Sequence, residues 1–143
     1  MGRRIYIRRQ GTSSGHRNGT SMSIAFLFPG QGSQTPGMGR TIRESSEAAR
    51  HAFGRVSEAV GRDVAELCDA SDEETLRRTE NAQIALYACG VATAAALRER
   101  GVEPHFALGH SVGEYAALAA AGVISLEDGA RLVARRGELM ARA

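Results

Sequence analysis

The sequence predicts an α/β fold in which short buried strands lead directly into turns and helices. An apolar run at 24–28 precedes a glycine-rich loop at 29–34. A second apolar run at 106–108 precedes a Gly-x-Ser-x-Gly turn. The stretch between the two runs has the apolar spacing of helices. We therefore expect a parallel sheet with helices on both faces.

Residues 1–21 form an arginine-rich leader without the apolar patterning of a core element. Five arginines and no acidic residue lie in this leader, and Met22 directly precedes the first predicted strand. We expect 1–21 to be a disordered basic extension and 22–143 to be the folded portion. A transit peptide has a similar composition but also an amphipathic helix, which is not evident here.

Length and composition limit the kinds of function that the chain can have. The chain has 143 residues, of which 43% are hydrophobic, so it suits one modest domain or part of one. Residues 22–143 carry 13 arginines against 16 acidic residues, and this acidic balance gives no indication of nucleic-acid binding. The apolar run at 84–97 is too short for a membrane span. Cys68 and Cys89 are isolated in sequence, which fits neither a metal site nor a disulfide framework and favours the cytoplasm.

Helices are predicted between the two strands from apolar spacing and capping signals. A capping box at 71–74 starts a short helix, and a long apolar helix follows over 81–100 until Gly101. Before them, one amphipathic helix ends at Gly61 and places its apolar residues on one face: Ile42, Ala49, Ala52, Phe53, Val56 and Val60.

The last predicted helix opens at a capping box, 125–128, and carries arginines at 131, 135, 136 and 142. Several arginines on one helix usually form a solvated face. Spacing alone therefore gives Arg136 no special role.

The turn at 109–114 has the sequence Gly-His-Ser-Val-Gly-Glu and joins the second strand to a helix over 115–120. Flanking glycines allow a tight, strained turn that exposes the Ser111 hydroxyl. Free N–H groups at the start of the next helix face any negative charge on an attacked carbonyl oxygen. Ser111 is the candidate nucleophile. For His110, packing or hydrogen bonding beside the turn is favoured over a role as general base.

The loop at 29–34 follows the first strand and contains two glycines and two glutamines. The chain has no lysine, so this loop cannot be the lysine-containing type that holds phosphates. Its free N–H groups suit an oxyanion or a carbonyl oxygen. An ordinary turn would have the same composition.

Three ordered motifs resemble the malonyl-CoA:acyl carrier protein transacylases and the related acyltransferase domains of polyketide synthases. These are residues 26–34, residues 109–114, and residues 121–128 with Arg136 following. The resemblance implies an α/β-hydrolase-like parallel sheet with flanking helices. It covers the N-terminal part of the large subdomain only, and the ferredoxin-like small subdomain is expected to be missing.

The resemblance also implies roles for individual residues. Ser111 would be the acylated nucleophile, and the backbone N–H groups of Gln31 and Val112 would form the oxyanion hole. Arg136 would bind the free carboxylate of malonate. Gln83 and His110 would lie beside the substrate, although Gln83 could equally be an ordinary residue at the start of a helix.

The implied reaction transfers a malonyl group from malonyl-CoA to the phosphopantetheine thiol of acyl carrier protein. Coenzyme A enters as part of the substrate, and no metal or bound cofactor is expected. None of the four histidines matches the family's activating histidine, which lies further along the chain than Ala143. We therefore expect an N-terminal fragment that lacks turnover by itself. A serine esterase or thioesterase, and an inactive truncated module, are the alternatives.

Overall fold

The computed structural model describes residues 5–8 and 23–143, which form an α/β fold. Its sheet has three strands in the order β1-β3-β2: β1 Ile5–Arg8, β2 Ala25–Phe28 and β3 Phe106–Gly109. β2 and β3 are parallel neighbours, as the sequence predicts. β1 pairs with the other edge of β3 in the antiparallel direction, so the sheet is mixed.

β1 lies in the leader, where we expected no regular structure. Its register runs from Ile5 opposite Gly109 to Arg8 opposite Phe106. Strand pairing uses backbone N–H and C=O groups, so an extended segment can pair with an open strand edge without a core-type pattern. The expectation of disorder is therefore wrong for these four residues. The rest of the leader lies outside the described residues.

One face of the sheet packs against helices. Phe26 and Phe28 in β2 are buried, and Gly90 of the long central helix lies against the Phe28 ring. Leu27 points to the opposite face and is 72% exposed. The described helices therefore do not cover that face at Leu27, which differs from the expectation of helices on both faces.

Seven helices follow in the described part of the chain. The longest, Thr79–Glu99, forms the centre of the core, packs against the helices Glu47–Val60, Gly113–Ala120 and Leu126–Ala141, and contains the apolar run at 84–97. No helix among the described residues has the length and apolar character needed to cross a membrane. The bounds are α1 Arg40–Ser45, α2 Glu47–Val60, α3 Val64–Ala70, α4 Glu73–Arg77, α5 Thr79–Glu99, α6 Gly113–Ala120 and α7 Leu126–Ala141.

The predicted helix from Ile42 to Val60 is wrong at Ser46, where the chain breaks into α1 and α2. Ser46 has extended backbone angles, and its hydroxyl accepts a hydrogen bond from the Ala49 N–H. Serine favours this N-cap position because its side chain competes with the helical hydrogen bonds. At the other end, Gly61 adopts a φ of 66° and ends α2 as predicted.

The two cysteines, although distant in sequence, are neighbours between α3 and α5. Both thiols are free, and they form a hydrogen bond with each other. This hydrogen bond lowers the pKa of Cys68, while the same bond and burial raise the pKa of Cys89. Residues 23–143 contain no group of three or more side chains suited to hold a metal ion.

Candidate active site

The tight turn between β3 and α6 holds Ser111 in the left-handed region, with a φ of 54°. A Cβ atom at Gly109 would collide with the backbone of Gly113 and with the Glu114 N–H. A Cβ atom at Gly113 would collide with the carbonyl groups at the end of β2. Both glycines are therefore required by close backbone approach, and the turn has the geometry of a nucleophile elbow.

The glycine-rich loop after β2 lies directly beside this elbow. The His110 N–H donates to the Phe28 carbonyl oxygen over 3.0 Å. The His110 ring lies against Gly30, where an added Cβ would approach Nδ1 to 2.6 Å. Parallel pairing of β2 with β3 thus brings the two sequence motifs together at the carboxyl ends of their strands.

Helix α7 approaches α5 closely at two glycines. A Cβ atom at Gly129 would collide with the Tyr87 ring, and one at Gly137 would lie 2.9 Å from the Glu80 Cα. The Tyr87 hydroxyl also donates to the Leu126 carbonyl oxygen over 2.8 Å, which fixes the start of α7. These contacts hold Arg136, the neighbour of Gly137, against the first turns of α5.

Arg136 lies apart from the solvated arginines of α7. Its Nη2 donates to the Ser111 Oγ over 3.1 Å, and its Nη1 donates to the Gln83 Oε1. By contrast, Arg131 and Arg135 are exposed and form ion pairs with acidic residues of the same helix. The structure therefore distinguishes Arg136, which faces the elbow, from the exposed arginines of α7, whereas the sequence alone does not separate them.

A chain of side-chain hydrogen bonds continues from Arg136 to the glycine-rich loop. Gln83 is fully buried, and its Nε2 donates to the Thr79 Oγ1 over 3.0 Å. The same Nε2 lies 3.3 Å from the Met140 sulfur. The Thr79 hydroxyl then donates to the Gln31 Oε1 over 2.9 Å. Arg136, Gln83, Gln31 and Ser111, which the sequence separates widely, are thereby brought together.

Thr79 belongs to this site, although our sequence reasoning did not identify it. The available signal was its position four residues before Gln83, which places both side chains on one face of a helix. We predicted that helix to begin at Asn81, so Thr79 fell outside it. The helix instead begins at Thr79.

The two predicted oxyanion donors lie at the elbow and in the adjacent loop. Neither the Gln31 N–H nor the Val112 N–H has a hydrogen-bond acceptor within residues 23–143. Val112 immediately precedes α6, where the helix dipole favours negative charge. Both N–H groups are therefore available to an oxygen atom of a bound molecule.

The described histidines make no hydrogen bond with Ser111 within this part of the chain. His105 accepts a hydrogen bond from the Ile24 N–H at its Nδ1 over 3.1 Å, and His51 lies on the exposed side of α2 beside Glu47. His110 lies against Gly30, as described above. His16 lies outside the described residues.

A separate apolar cavity of about 360 Å³ lies between β2 and α5. Its walls include Phe26, Phe28, Leu86 and Leu97, and neither Ser111 nor Arg136 contributes to it. The polar groups suited to acyl chemistry therefore lie outside this cavity, at the ends of the strands.

Comparison with known proteins identifies the family. Residues 25–143 match the acyl transferase domain family. The chain is 44% identical over 122 residues to the malonyl CoA-acyl carrier protein transacylase of Bacillus subtilis, covering 85% of this chain and 30% of that protein.

Two solved structures show the same fold. The acyltransferase domain from the second module of the salinomycin polyketide synthase has a TM-score of 0.80 and 45% identity, covering 85% of this chain and 29% of that one. A malonyl-transacylase in complex with a type II polyketide synthase acyl carrier protein matches with a TM-score of 0.78 and 38% identity, covering 85% and 40%.

This chain spans between 30% and 41% of the length of the malonyl CoA-acyl carrier protein transacylases of Bacillus subtilis and Synechocystis. Within that span, the matched region contains both glycine-containing motifs and all of α7. The chain belongs to the acyl transferase family that contains the malonyl-CoA:acyl carrier protein transacylases and the polyketide synthase acyltransferase domains.

Proposed function

We propose that this chain provides the nucleophile and the carboxylate-binding residue for transfer of a malonyl group from malonyl-CoA to acyl carrier protein. The observation that carries the proposal is the 3.1 Å contact between the Arg136 guanidinium and the Ser111 hydroxyl. A hydrolase acting on neutral esters has no use for a fixed positive charge at its nucleophile. An acyl group that carries a free carboxylate can use such a charge, because a guanidinium binds a carboxylate through two hydrogen bonds.

The proposed reaction proceeds through an acyl-serine. The Ser111 Oγ attacks the thioester carbonyl while its proton passes to a base outside the described residues, and the carbon–sulfur bond breaks to release coenzyme A. The N–H groups of Gln31 and Val112 stabilise the oxyanion that forms on the way. The phosphopantetheine thiol of acyl carrier protein then attacks the ester and takes the malonyl group, and Ser111 recovers its proton.

In this proposal Arg136 binds the free carboxylate of the malonyl group while the ester is attached to Ser111. Gln83 holds the guanidinium in place through its Oε1. Residues 22–143 then correspond to the N-terminal part of the large, α/β-hydrolase-like subdomain. The general base lies outside the described residues. Coenzyme A acts as part of the substrate.

A hybrid enzyme tests the proposal. Residues 25–143 replace the matching segment of the Bacillus subtilis transacylase, and radiolabelled malonyl-CoA is supplied with acyl carrier protein. We expect labelled malonyl-acyl carrier protein, together with a malonyl ester at Ser111 that mass spectrometry detects. Ser111→Ala abolishes both signals, because the covalent step is deleted.

Two results would contradict the proposal. Release of free malonate at the same rate with and without carrier protein would identify a thioesterase. Loading that persists in Ser111→Ala would place the nucleophile elsewhere. Ser125→Ala is the matched control, because the Ser125 hydroxyl caps the start of α7 and has no hydrogen bond with Ser111 or Arg136 within residues 23–143, so we expect its loss to lower stability and leave loading in place.

A further inference from the structure

We propose that Thr79 is a positioning residue whose hydroxyl joins the Gln31 loop to the Gln83–Arg136 pair and so fixes both around Ser111. This inference rests on the proposed function and deepens it. The hydroxyl lies 2.9 Å from the Gln31 Oε1 and 3.0 Å from the Gln83 Nε2. It is therefore the direct link between the loop after β2 and the helices that hold the guanidinium.

The direction of these hydrogen bonds follows from the chemistry of arginine. A guanidinium has only donors, so the Gln83 atom that faces Arg136 must be the amide oxygen. The amide nitrogen then faces Thr79 and donates to its hydroxyl oxygen. The single hydroxyl hydrogen of Thr79 remains for the Gln31 oxygen. Arg136 thus sets the orientation of the Gln83 amide, and Thr79 connects that amide to the Gln31 side chain.

The burial of Gln83 makes this link necessary. Its side chain is fully buried, and a buried amide left without partners is costly, because it has given up its hydrogen bonds to water. Besides Thr79, the Nε2 has only the weak acceptor Met140 Sδ, at 3.3 Å, in the described part of the chain. Without the hydroxyl, the Gln83 Nε2 keeps only this weak sulfur acceptor, and the side-chain amide is held mainly by its Oε1 contact with Arg136.

A purely local role for Thr79 explains less. Thr79 and Gln83 are four residues apart on α5, a spacing at which side chains commonly support a helix. A local pair would not reach the Gln31 side chain, which is 48 residues away in sequence. Within residues 23–143, the hydroxyl accepts no hydrogen bond from a backbone N–H at the start of α5. Its hydrogen-bond partners in this part of the chain are the side-chain amides of Gln31 and Gln83.

The consequence is a fixed spacing between the two sides of the nucleophile. Arg136 contacts the Ser111 Oγ from α7, and the Gln31 loop lies beside the elbow. A malonyl group attached to Ser111 would need its carboxylate at Arg136 and its carbonyl oxygen at the Gln31 N–H. Displacements of about 1 Å between such groups can lower reaction rates substantially.

Nuclear magnetic resonance of the whole chain tests this link without any reaction. Three variants are compared: Thr79→Val, which keeps the branched shape and removes the hydroxyl; Thr79→Ser, which keeps the hydroxyl; and Thr93→Val. Thr93 is the matched control because it lies on the same helix and its hydroxyl donates to the Cys89 carbonyl oxygen. The signals observed are the Gln83 side-chain amide and the Arg136 Nε–H.

In Thr79→Val we expect solvent exchange of the Gln83 amide protons to accelerate by about tenfold or more, with a shift of the Arg136 Nε–H signal. Thr79→Ser restores the wild-type signals, and Thr93→Val leaves them in place. Wild-type signals in Thr79→Val would overturn the inference. Failure of Thr79→Ser to restore them would also overturn it, because the methyl group would then be the important part.

Titration with malonate, with acetate for comparison, separates this inference from the proposed function. We expect malonate to shift the Arg136 Nε–H signal, with an apparent Kd raised about tenfold in Thr79→Val and within about twofold of wild type in Thr79→Ser. Equal malonate affinity in wild type and Thr79→Val would overturn the positioning role. A wild-type Arg136 signal that does not respond to malonate would instead contradict the carboxylate-binding role of Arg136, whatever the effect of Thr79 on the free protein.

Discussion

Among the described residues, Ser111 is the one residue other than glycine with a positive φ, 54°. A side chain in the left-handed region costs roughly 1–2 kcal/mol, because its Cβ crowds the following carbonyl oxygen. The surrounding turn maintains this strain through the close contacts at Gly109 and Gly113. This backbone conformation directs the Ser111 hydroxyl out of the turn and toward Arg136.

The strain at Ser111 can be measured from stability. We expect Ser111→Gly to be more stable than Ser111→Ala by about 1 kcal/mol, because glycine alone adopts this φ without a Cβ penalty. Urea unfolding of both variants gives the difference. As a control, Ala119→Gly in the last turn of α6 should lower stability, since glycine there only adds backbone entropy to the unfolded chain. If Ser111→Gly proves no more stable than Ser111→Ala, the elbow stores no strain.

We expect Arg136 to make the enzyme selective for malonyl groups over acetyl groups. In the hybrid enzyme, Arg136→Ala should lower kcat/KM for malonyl-CoA by about 150- to 5,000-fold, because roughly 3–5 kcal/mol is lost when a buried charge loses its partner. Acetyl-CoA has no free carboxylate, so its kcat/KM should change far less. Steady-state kinetics with both donors measures the two effects.

The matched control for that comparison is Arg135→Ala. Arg135 is the exposed neighbour on α7, and exposed ion pairs such as the one that it forms with Glu138 contribute little to stability. Equal losses for malonyl and acetyl transfer in Arg136→Ala would instead assign the guanidinium a structural role.

At the scale of elements, the end of α5 organises the junction between α1 and α2. The Glu99 carboxylate accepts a hydrogen bond from the Ala48 N–H over 3.0 Å, in the first turn of α2. The neighbouring Arg100 donates to the Ser45 carbonyl oxygen, at the end of α1, also over 3.0 Å. Together with the hydroxyl of Ser46, these groups satisfy backbone groups that the break between the two helices leaves without partners.

This junction predicts a pH-dependent stability. The hydrogen bond from the Ser46 hydroxyl, followed by that from the Ala48 N–H, lowers the pKa of Glu99 below its ordinary value of 4.5. A carboxyl whose pKa is lower in the folded state stabilises the fold above the unfolded pKa, and that stabilisation is lost as the pH falls through the folded value.

We therefore expect Glu99→Gln to be less stable than wild type at pH 7, and the difference to shrink as the pH falls below about 4.5. Thermal unfolding across that pH range measures it. Glu44→Gln, at an exposed position of α1, is the matched control and should show a smaller effect. A Glu99→Gln difference that stays constant down to pH 3 would mean that the carboxylate charge contributes nothing.

Elements with local signals were predictable from the sequence, and elements that depend on pairing across the chain were not. The caps at Ser125 and Gly61 correctly marked the start of α7 and the end of α2. Helix α3 carried a comparable signal that we did not use, since Asp63 accepts from the Glu66 N–H just before an apolar run. β1 had no such signal, because its partner is a strand edge about a hundred residues away.

The candidate site also contains residues with a local sequence signal and residues whose roles depend on contacts across the chain. The elbow at Ser111 is a local motif, so glycine spacing was sufficient to predict it. Family resemblance, rather than spacing, singled out Arg136 among the arginines of α7. The position of Thr79 between two glutamines depends on the packing of α5 beside the loop after β2, which no local pattern records.

At the scale of the whole molecule, the sheet has three strands in the described residues, and β3 lies at its centre. β3 ends at the elbow, so both of its neighbours support the strand that positions Ser111. β2 does so from the core side, where Phe28 and Gly113 meet. β1 does so from the other edge through four residue pairs, from Ile5 opposite Gly109 to Arg8 opposite Phe106.

Removal of residues 1–21 tests the contribution of β1. The leader has no apolar core pattern, so sequence alone predicts an unchanged fold, whereas the structure predicts that β3 loses its antiparallel neighbour and becomes an edge strand. We expect the deletion to lower the melting temperature by a few degrees, as roughly 1 kcal/mol does in a domain of this size. Amide exchange at 106–109 should accelerate as well.

Ile7→Pro in the full-length chain is the matched comparison, because it keeps the charge and length of residues 1–21 while interrupting the pairing of β1 with β3. If neither change alters the melting temperature or the exchange at 106–109, then β1 does not support the elbow strand, and the geometry at Ser111 depends on β2 and α6 alone.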